Sequence, residues 1–387
     1  MPSEPYPTVA ETLKHPAFET AVWNLEPTQK GVLPVAEGRG GPFNISWEIH
    51  GSGPVKLLLI MGLASVKTVW QRQTLHFGHQ RGDKYSVLLI DNRGIGESDK
   101  PLMRYSTSEM AKDAIEVLAH VGWVSPFPSP TATTTTTTAP STQQTRQVHV
   151  AGISMGGMIA QEVAMLIPSA LSSLTLVSTA AAIENTTTFA ENAATRISML
   201  MPKGVEASVR STALRVFSRA WLVGPDDVEL PDPAAGIPGV GPPRVPPPPA
   251  GKKGEQQQQQ QQQTYGRFGS RYQRWAAEEM HKRRDPRLYG NKGVMLQMVA
   301  AGWHRKSPEQ LAWLADRVGR ERIAVIHGSA DEMMTPPHGR KLIEYLRPAV
   351  GEMLEGVGHG PVAERCEWFN GMLAERMAVG EKLDGRA

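Results

Sequence analysis

Residues Gly152-Ile153-Ser154-Met155-Gly156 form a G-x-S-x-G pentapeptide. A short apolar run, Val148 to Ala151, precedes it, and a run with helical spacing, Gly157 to Ile167, follows. The spacing predicts a strand that turns sharply into a helix at the serine. Glycines on both sides keep side chains from blocking the close approach of strand, helix and substrate. Ser154 is therefore the candidate nucleophile of an acyl transfer. The N–H of Met155, among the first free donors of the new helix, points to where a substrate oxyanion would form.

A serine hydroxyl needs a base to take its proton and a carboxylate to hold that base in the right tautomer. Asp331 lies in His327-Gly328-Ser329-Ala330-Asp331, after the strand candidate Ile323 to His327. His359 lies in Gly356-Val357-Gly358-His359-Gly360, after the weaker strand candidate Gly351 to Leu354. Each has a plain alternative, Asp331 as a helix-start acid before Thr335-Pro336-Pro337 and His359 as a loop histidine between turn glycines. All three residue types at the ends of strands, in the order Ser, Asp, His, favour the joint catalytic reading. The Leu63 N–H, in Gly62-Leu63-Ala64 after the strand Val55 to Met61, is the candidate second oxyanion donor, because Gly62 lets the backbone turn toward the site.

These residues need a scaffold of alternating elements. Val55 to Met61, Ser86 to Ile90, Gln147 to Ala151, Leu174 to Val177 and Ile323 to His327 read as buried strands. Helix starts fall between them. Ser106 with Glu109 forms a capping box, and Ser307-Pro308-Glu309-Gln310 combines an N-cap, a first-position proline and a third-position glutamine. The alternation implies an α/β chain with a mostly parallel sheet covered on both faces. From about Ala181 to Arg305 it stops: Ser208 to Leu222, Arg271 to His281 and Lys292 to Trp303 read as helices with no strand between, a lid over the strand ends. Two segments, 125–146 and 231–264, are low-complexity insertions expected to be disordered; they carry six threonines, Thr133 to Thr138, and eight glutamines, Gln256 to Gln263.

A chain of 387 residues is long enough for two or three domains of about 150 residues each. Its formal charge of +3 shows no basic stripe, so nucleic acid is not an expected partner; His281 to Arg284 follows Glu278 and Glu279 and reads as a solvated helix face. Cys366 is the single cysteine, which excludes an intrachain disulfide and reads as structural. No apolar run reaches membrane-spanning length, and the Pro-rich, acidic start does not resemble a signal peptide, so a soluble cytoplasmic protein is expected. His50, His76 and His79 lack a metal-ligand spacing; His327 is expected to pack within its strand, while His304 is an alternative pocket residue. No metal and no cofactor is expected. Oligomeric state is not legible.

Taken together, the chain resembles the α/β-hydrolase fold superfamily, in the group with a helical lid, from about Gly31 to Met377 outside the two insertions. Asp91-Asn92-Arg93-Gly94-Ile95-Gly96-Glu97-Ser98 resembles that family's D-x-R-G-x-G-x-S turn after strand four, read as structural, with Arg93 at the pocket rim as the other reading. The resemblance implies a doubly wound sheet of about eight strands, a core of residues 22–180 and 305–380, and a lid of residues 181–304 inserted between strands six and seven. It implies Ser154 as nucleophile, Asp331 as acid and His359 as base. A serine at the elbow argues against the haloalkane dehalogenases and epoxide hydrolases of this fold, which use aspartate. Met61 stands where many members have histidine. The stretch Gly293 to His304 resembles a lid helix of enol-lactone and small-ester hydrolases. The expected activity is hydrolysis of a small acyl substrate, a carboxylic ester or lactone; an acyltransferase or C–C hydrolase on the same triad, or a ligand receptor of the same fold, are the alternatives.

Overall fold

The computed structural model describes residues 6–125, 146–186, 203–244 and 264–386. Among them, strands β1 (Gln29–Val35), β2 (Phe43–His50), β3 (Val55–Ile60), β4 (Tyr85–Ile90), β5 (Val148–Ile153), β6 (Leu171–Val177), β7 (Ile323–Gly328) and β8 (Val350–Leu354) form one sheet. Its order is β1-β2-β4-β3-β5-β6-β7-β8. β2 runs antiparallel to β1 and β4, and the strands from β4 to β8 are parallel. The expected α/β sheet, mostly parallel and covered on both faces, is the observed one.

Alternation along the strands divides the core in two. Leu58 and Ile60 of β3 point to a layer built with helices Thr107–His120, Met155–Leu166, Pro308–Val318 and Pro336–Leu346. Leu57 and Leu59 point to the opposite layer, which contains Trp70, Phe77 and Phe369. Burial on both faces is why these strands are near-continuous apolar runs. The antiparallel pair β1–β2 adds to the strands read from the sequence. β1 carries Gly31 and Pro34 and is mostly exposed, as an edge strand tolerates, so it lacks the buried-strand signature.

The helix starts follow their caps. Ser307 and Gln310 form a reciprocal capping box with Pro308 at the first position. At Ser106 the box is half made: the hydroxyl accepts from Glu109 N–H at 3.1 Å, but the Glu109 carboxylate turns to Arg39 and Lys112. A charge pair outcompetes the local bond.

Between β6 and β7 the chain leaves the sheet through helices Val205–Val216, Arg219–Leu222, Arg271–Arg284 and Asn291–Trp303. An isolated bridge between Ala182 and Arg305, with Lys306 N–H donating to Ala181 O at 2.8 Å, ties the two ends of this excursion together. Its apolar interior joins Val209, Ala213, Tyr272 and Ala277 to Val9 and Phe18 of the N-terminal segment. His281 to Arg284 is not the solvated face expected: Lys282 is 6% exposed, and His281 Nε2 donates to Phe18 O at 2.7 Å. That helix is covered on one side by the N-terminal segment and on another by the loop after β3, neither of which its own sequence reveals.

Residues 231–244, expected within a disordered insertion, are instead folded against the body. Asp232 caps a short turn at Pro233–Ala235, Val240 bridges Leu25, and Pro238 O accepts from His79 Nδ1 at 2.8 Å. Val240 is buried with Trp23, Leu75 and Tyr265, so this stretch has the apolar area that its proline and glycine content disguises. The threonine and glutamine runs lie outside the described residues. No helix among the described residues is long and apolar enough to cross a membrane.

Two stability predictions arise from this scaffold. Arg93 is fully buried, and its Nε and Nη2 donate to Asp113 Oδ2 and Oδ1 at 2.6 and 2.7 Å, with the guanidinium 4.5 Å above the Phe43 ring. It is therefore a core ion pair and not a pocket-rim residue. Arg93→Met is expected to cost about 3 kcal/mol in urea unfolding, because it leaves the buried Asp113 with Arg39 Nη2, at 3.1 Å, as its remaining charged partner, and Arg93→Met with Asp113→Leu should recover most of that loss.

The second concerns His304. Its Nδ1 stands 2.9 Å from Thr107 Oγ1 and Glu162 is 3.6 Å away, while Lys306 pairs with Glu162 at 2.7 Å. Burial, with the Lys306 charge, lowers the imidazole to about 3. The unfolded chain binds that proton near pH 6.5 and the folded chain does not, so stability must fall as pH drops below about 6.5. Between pH 7 and 5.5, His304→Asn should lose about 1 kcal/mol less stability than the parent in urea titrations.

Candidate active site

β3, β5, β7 and β8 all end at the same sheet edge, and every candidate residue follows one of these ends. After β5, Ser154 takes φ 57° and ψ −124°, then the helix Met155–Leu166 begins. Such a conformation costs a non-glycine residue roughly 1–3 kcal/mol and persists only where neighbours enforce it. Here Ser154 N–H donates to Val177 O at 2.9 Å, and Thr179 Oγ1 donates to Ser154 O at 2.7 Å. The flanking glycines are required by contact. A Cβ on Gly152 would stand 2.2 Å from Gly156 O, and one on Gly156 would stand 2.2 Å from Ile60 O.

Asp331 and His359 meet. His359 Nδ1 donates to Asp331 Oδ2 at 2.7 Å, while Asp331 Oδ1 accepts from Met333 N–H at 2.8 Å and Met334 N–H at 2.7 Å. A carboxylate only accepts, so the Nδ1 proton is fixed and Nε2 is left as the basic nitrogen. Asp331 is 2% exposed. His327, expected only to pack, also reaches it: its Nε2 lies 3.4 Å from Asp331 Oδ2 and 2.6 Å from Met334 O. The carbonyl can only accept, so Nε2 carries hydrogen there, and burial holds the His327 pKa below the usual histidine range.

Ser154 and His359 line one cavity of about 400 Å³, whose walls include Leu63, Phe217, Trp275 and Met298. Among the described residues, no hydrogen bond joins Ser154 Oγ to the imidazole. The Gly62 position lies against the serine, with a built Cβ 3.0 Å from Ser154 Cβ. Among the described residues, no acceptor takes the N–H of Leu63 or of Met155. His304, the alternative pocket residue, instead faces Thr107. His79 meets His50, at 3.0 Å between ring nitrogens, and not His76.

Several residues that organise the site carry no signal in the sequence patterns above. Asn92 Nδ2 donates to Met61 O at 2.9 Å, which anchors the chain where it leaves β3. Glu364 Oε1 accepts from Gly358 N–H at 2.9 Å and its Oε2 from Ser218 Oγ at 2.6 Å, which ties the His359 loop to the helical excursion. Burial pushes the Glu364 carboxyl up. Gln297 is hidden in a predicted lid helix, although one amide among Gly293, Ala300 and Ala301 on the buried face is a usable signal.

Known proteins agree with this architecture. RutD of Azorhizobium caulinodans, which carries the name of a carbamate hydrolase, is 28% identical over 183 residues, 47% of this chain and 58% of its own length. 3-Oxoadipate enol-lactonase 2 of Acinetobacter baylyi is 26% identical over 166 residues, 43% of this chain and 51% of its own length. The chain thus spans between half and three fifths of the curated relatives it matches. The solved structure of a hydrolase from Pseudomonas aeruginosa superposes with a TM-score of 0.57 at 17% identity, covering 90% of this chain and 98% of that one, a likeness of fold. With the Alpha/beta hydrolase family matching residues 49–371, most of the sequence and every element of the site just described, the chain belongs to that family.

Proposed function

We propose that this protein is a serine hydrolase that cleaves a carboxylic ester, a lactone or a related acyl compound through an acyl-enzyme. The observation that carries the reading is Ser154, held at positive φ on the cavity that also receives His359, whose Nδ1 is committed to buried Asp331. In the first half-reaction, Ser154 Oγ attacks the acyl carbon and His359 Nε2 takes the hydroxyl proton. The carbonyl oxygen becomes an oxyanion, received by the N–H groups of Leu63 and Met155. Collapse breaks the bond to the leaving group, which His359 protonates. Water then repeats the sequence: His359 takes its proton, the hydroxyl adds to the acyl carbon, and Ser154 leaves with that proton restored. Asp331 stays ionised and stabilises the imidazolium throughout.

The excursion from β6 to β7 acts as the lid, since Phe217, Trp275 and Met298 from it close the cavity over Ser154. The two curated relatives are named for a carbamate and an enol-lactone, so carbamates join esters and lactones as substrates to try. The test is labelling by a fluorophosphonate probe followed by a panel of esters, lactones and carbamates. Labelling lost in Ser154→Ala, with turnover of at least one panel member, is the expected result. A well-folded parent that neither labels nor turns over any of them would overturn the reading.

A further inference from the structure

The loop that presents Leu63 does not hold itself in place. Ala64, the next residue, is a non-glycine at φ 59°, a conformation unfavourable for an L-residue unless its surroundings impose it. Both of its polar backbone groups are bound by side chains from the helical excursion. Ala64 N–H donates to Gln297 Oε1 at 2.9 Å, and Ala64 O accepts from Lys282 Nζ at 2.7 Å. The two helices that send these side chains, Asn291–Trp303 and Arg271–Arg284, are more than 200 residues away in sequence.

The choice of side chains fits the task. Gln297 is fully buried and uses both ends of its amide, accepting from Ala64 and donating from Nε2 to Arg93 O at 2.9 Å. That second bond anchors it to the turn after β4, which the Arg93–Asp113 pair holds rigid. Lys282 is 6% exposed, and Glu279 fixes its ammonium at 2.7 Å. A carboxylate at 297 could not donate to Arg93 O, and an apolar residue would leave the half-buried Ala64 N–H without this acceptor. The two peptide planes that flank Ala64 are thus clamped from outside the sheet, the first by an acceptor, Gln297 Oε1, and the second by a donor, Lys282 Nζ, which restricts the Leu63 backbone torsions and through them the direction of the Leu63 N–H one peptide earlier.

Resting on the hydrolase reading above, we infer that Gln297 and Lys282 are positioning residues that complete the oxyanion hole. The hole is a joint product of the sheet and the helical excursion, and it exists only while those two helices sit on the loop. The excursion therefore contributes to the chemical step as well as covering the cavity.

The test compares Gln297→Leu, Lys282→Met and Lys282→Arg with the parent, on whichever panel substrate the parent turns over. The expected result is a kcat loss of about 10- to 100-fold in the first two, with KM within about threefold. Binding of a trifluoromethyl ketone, which becomes an oxyanion when Ser154 adds to it, should weaken by the same factor as kcat/KM. Lys282→Arg, which keeps a donor on a long stem, should recover most of the loss. A merely structural role would lower Tm while leaving kcat and the ketone affinity unchanged at a temperature where the variant is folded, and that result would overturn the inference. Lys282→Met keeps the apolar stem, so it carries the test should Gln297→Leu fail to fold. Hydrogen exchange of the peptide spanning Leu63 to Val69 reads the same clamp without activity: faster exchange in Lys282→Met is expected. Unchanged exchange rejects the clamp even in a parent inert to fluorophosphonate, an inertness that would itself count against the hydrolase reading alone.

Discussion

Replacing Ser154 or His359 with alanine is expected to lower turnover by about 10⁴- to 10⁶-fold, measured as kcat on the best panel substrate, and Ser154→Ala should change the unfolding free energy by less than about 1 kcal/mol. The stability half of that expectation follows from the contacts. Among the described residues, Ser154 Oγ makes no hydrogen bond, and its strained backbone is held by Val177 O and Thr179 Oγ1, neither of which touches the side chain. Ser154→Gly sharpens the test. Glycine tolerates φ 57° at little cost, so it should abolish turnover and raise stability by about 1 kcal/mol. A residue whose removal destroys activity and relieves strain is one held for chemistry. Retained turnover in Ser154→Ala would sink the nucleophile assignment.

Asp331→Asn is expected to lower kcat by about ten-thousand-fold with little change in KM. The reason is the donor set around this side chain. Oδ1 accepts two backbone N–H groups, from Met333 and Met334, and Oδ2 accepts the His359 Nδ1 proton. An asparagine has one oxygen. Keeping it on the two N–H groups turns its NH₂ toward His359 Nδ1, which must then become an acceptor, and the proton moves to Nε2. The base that faces the cavity is lost although every atom stays close to its place. Nearby His327 does not rescue it, because its Nε2 hydrogen is directed at Met334 O. Near-parent kcat in Asp331→Asn would mean that another group orients His359.

Much of this architecture is legible in the residues themselves. The strands β3 to β7 appear as short apolar runs and β8 as a weaker candidate, and the turn at Ser154 is written in glycines whose absence would bring a Cβ to 2.2 Å from the neighbouring backbone. β2 is legible too, because Phe43, Ile45, Trp47 and Ile49 alternate and all pack into the core. It is not among the runs read as strands, and the antiparallel edge goes unread with it. Arg93 illustrates the limit of motif reading. The turn motif places it near the site, but its partner Asp113, on the helix Thr107–His120, makes it a core residue. The proline-rich stretch 231–244 misleads the other way, since composition conceals Val240 and Ile237, which find Trp23 and Leu75 only in three dimensions.

What the sequence determined by itself is the chemistry available and its order along the chain. A candidate nucleophile elbow, an aspartate after one strand and a histidine after the next are each set within a few residues, by glycine contacts, strand ends and turn geometry. What only the tertiary structure decided is which distant groups hold those pieces in place. Gln297 and Lys282 reach Ala64 across 233 and 218 residues, and Glu364 reaches Ser218 across 146. Periodicity identifies the face of a helix that must be buried, but not the loop that will cover it. The polar groups of that loop can be satisfied only by partners brought there by packing, and this is why the basic run at His281 to Arg284 reads as solvated while Lys282 is buried against the candidate oxyanion loop.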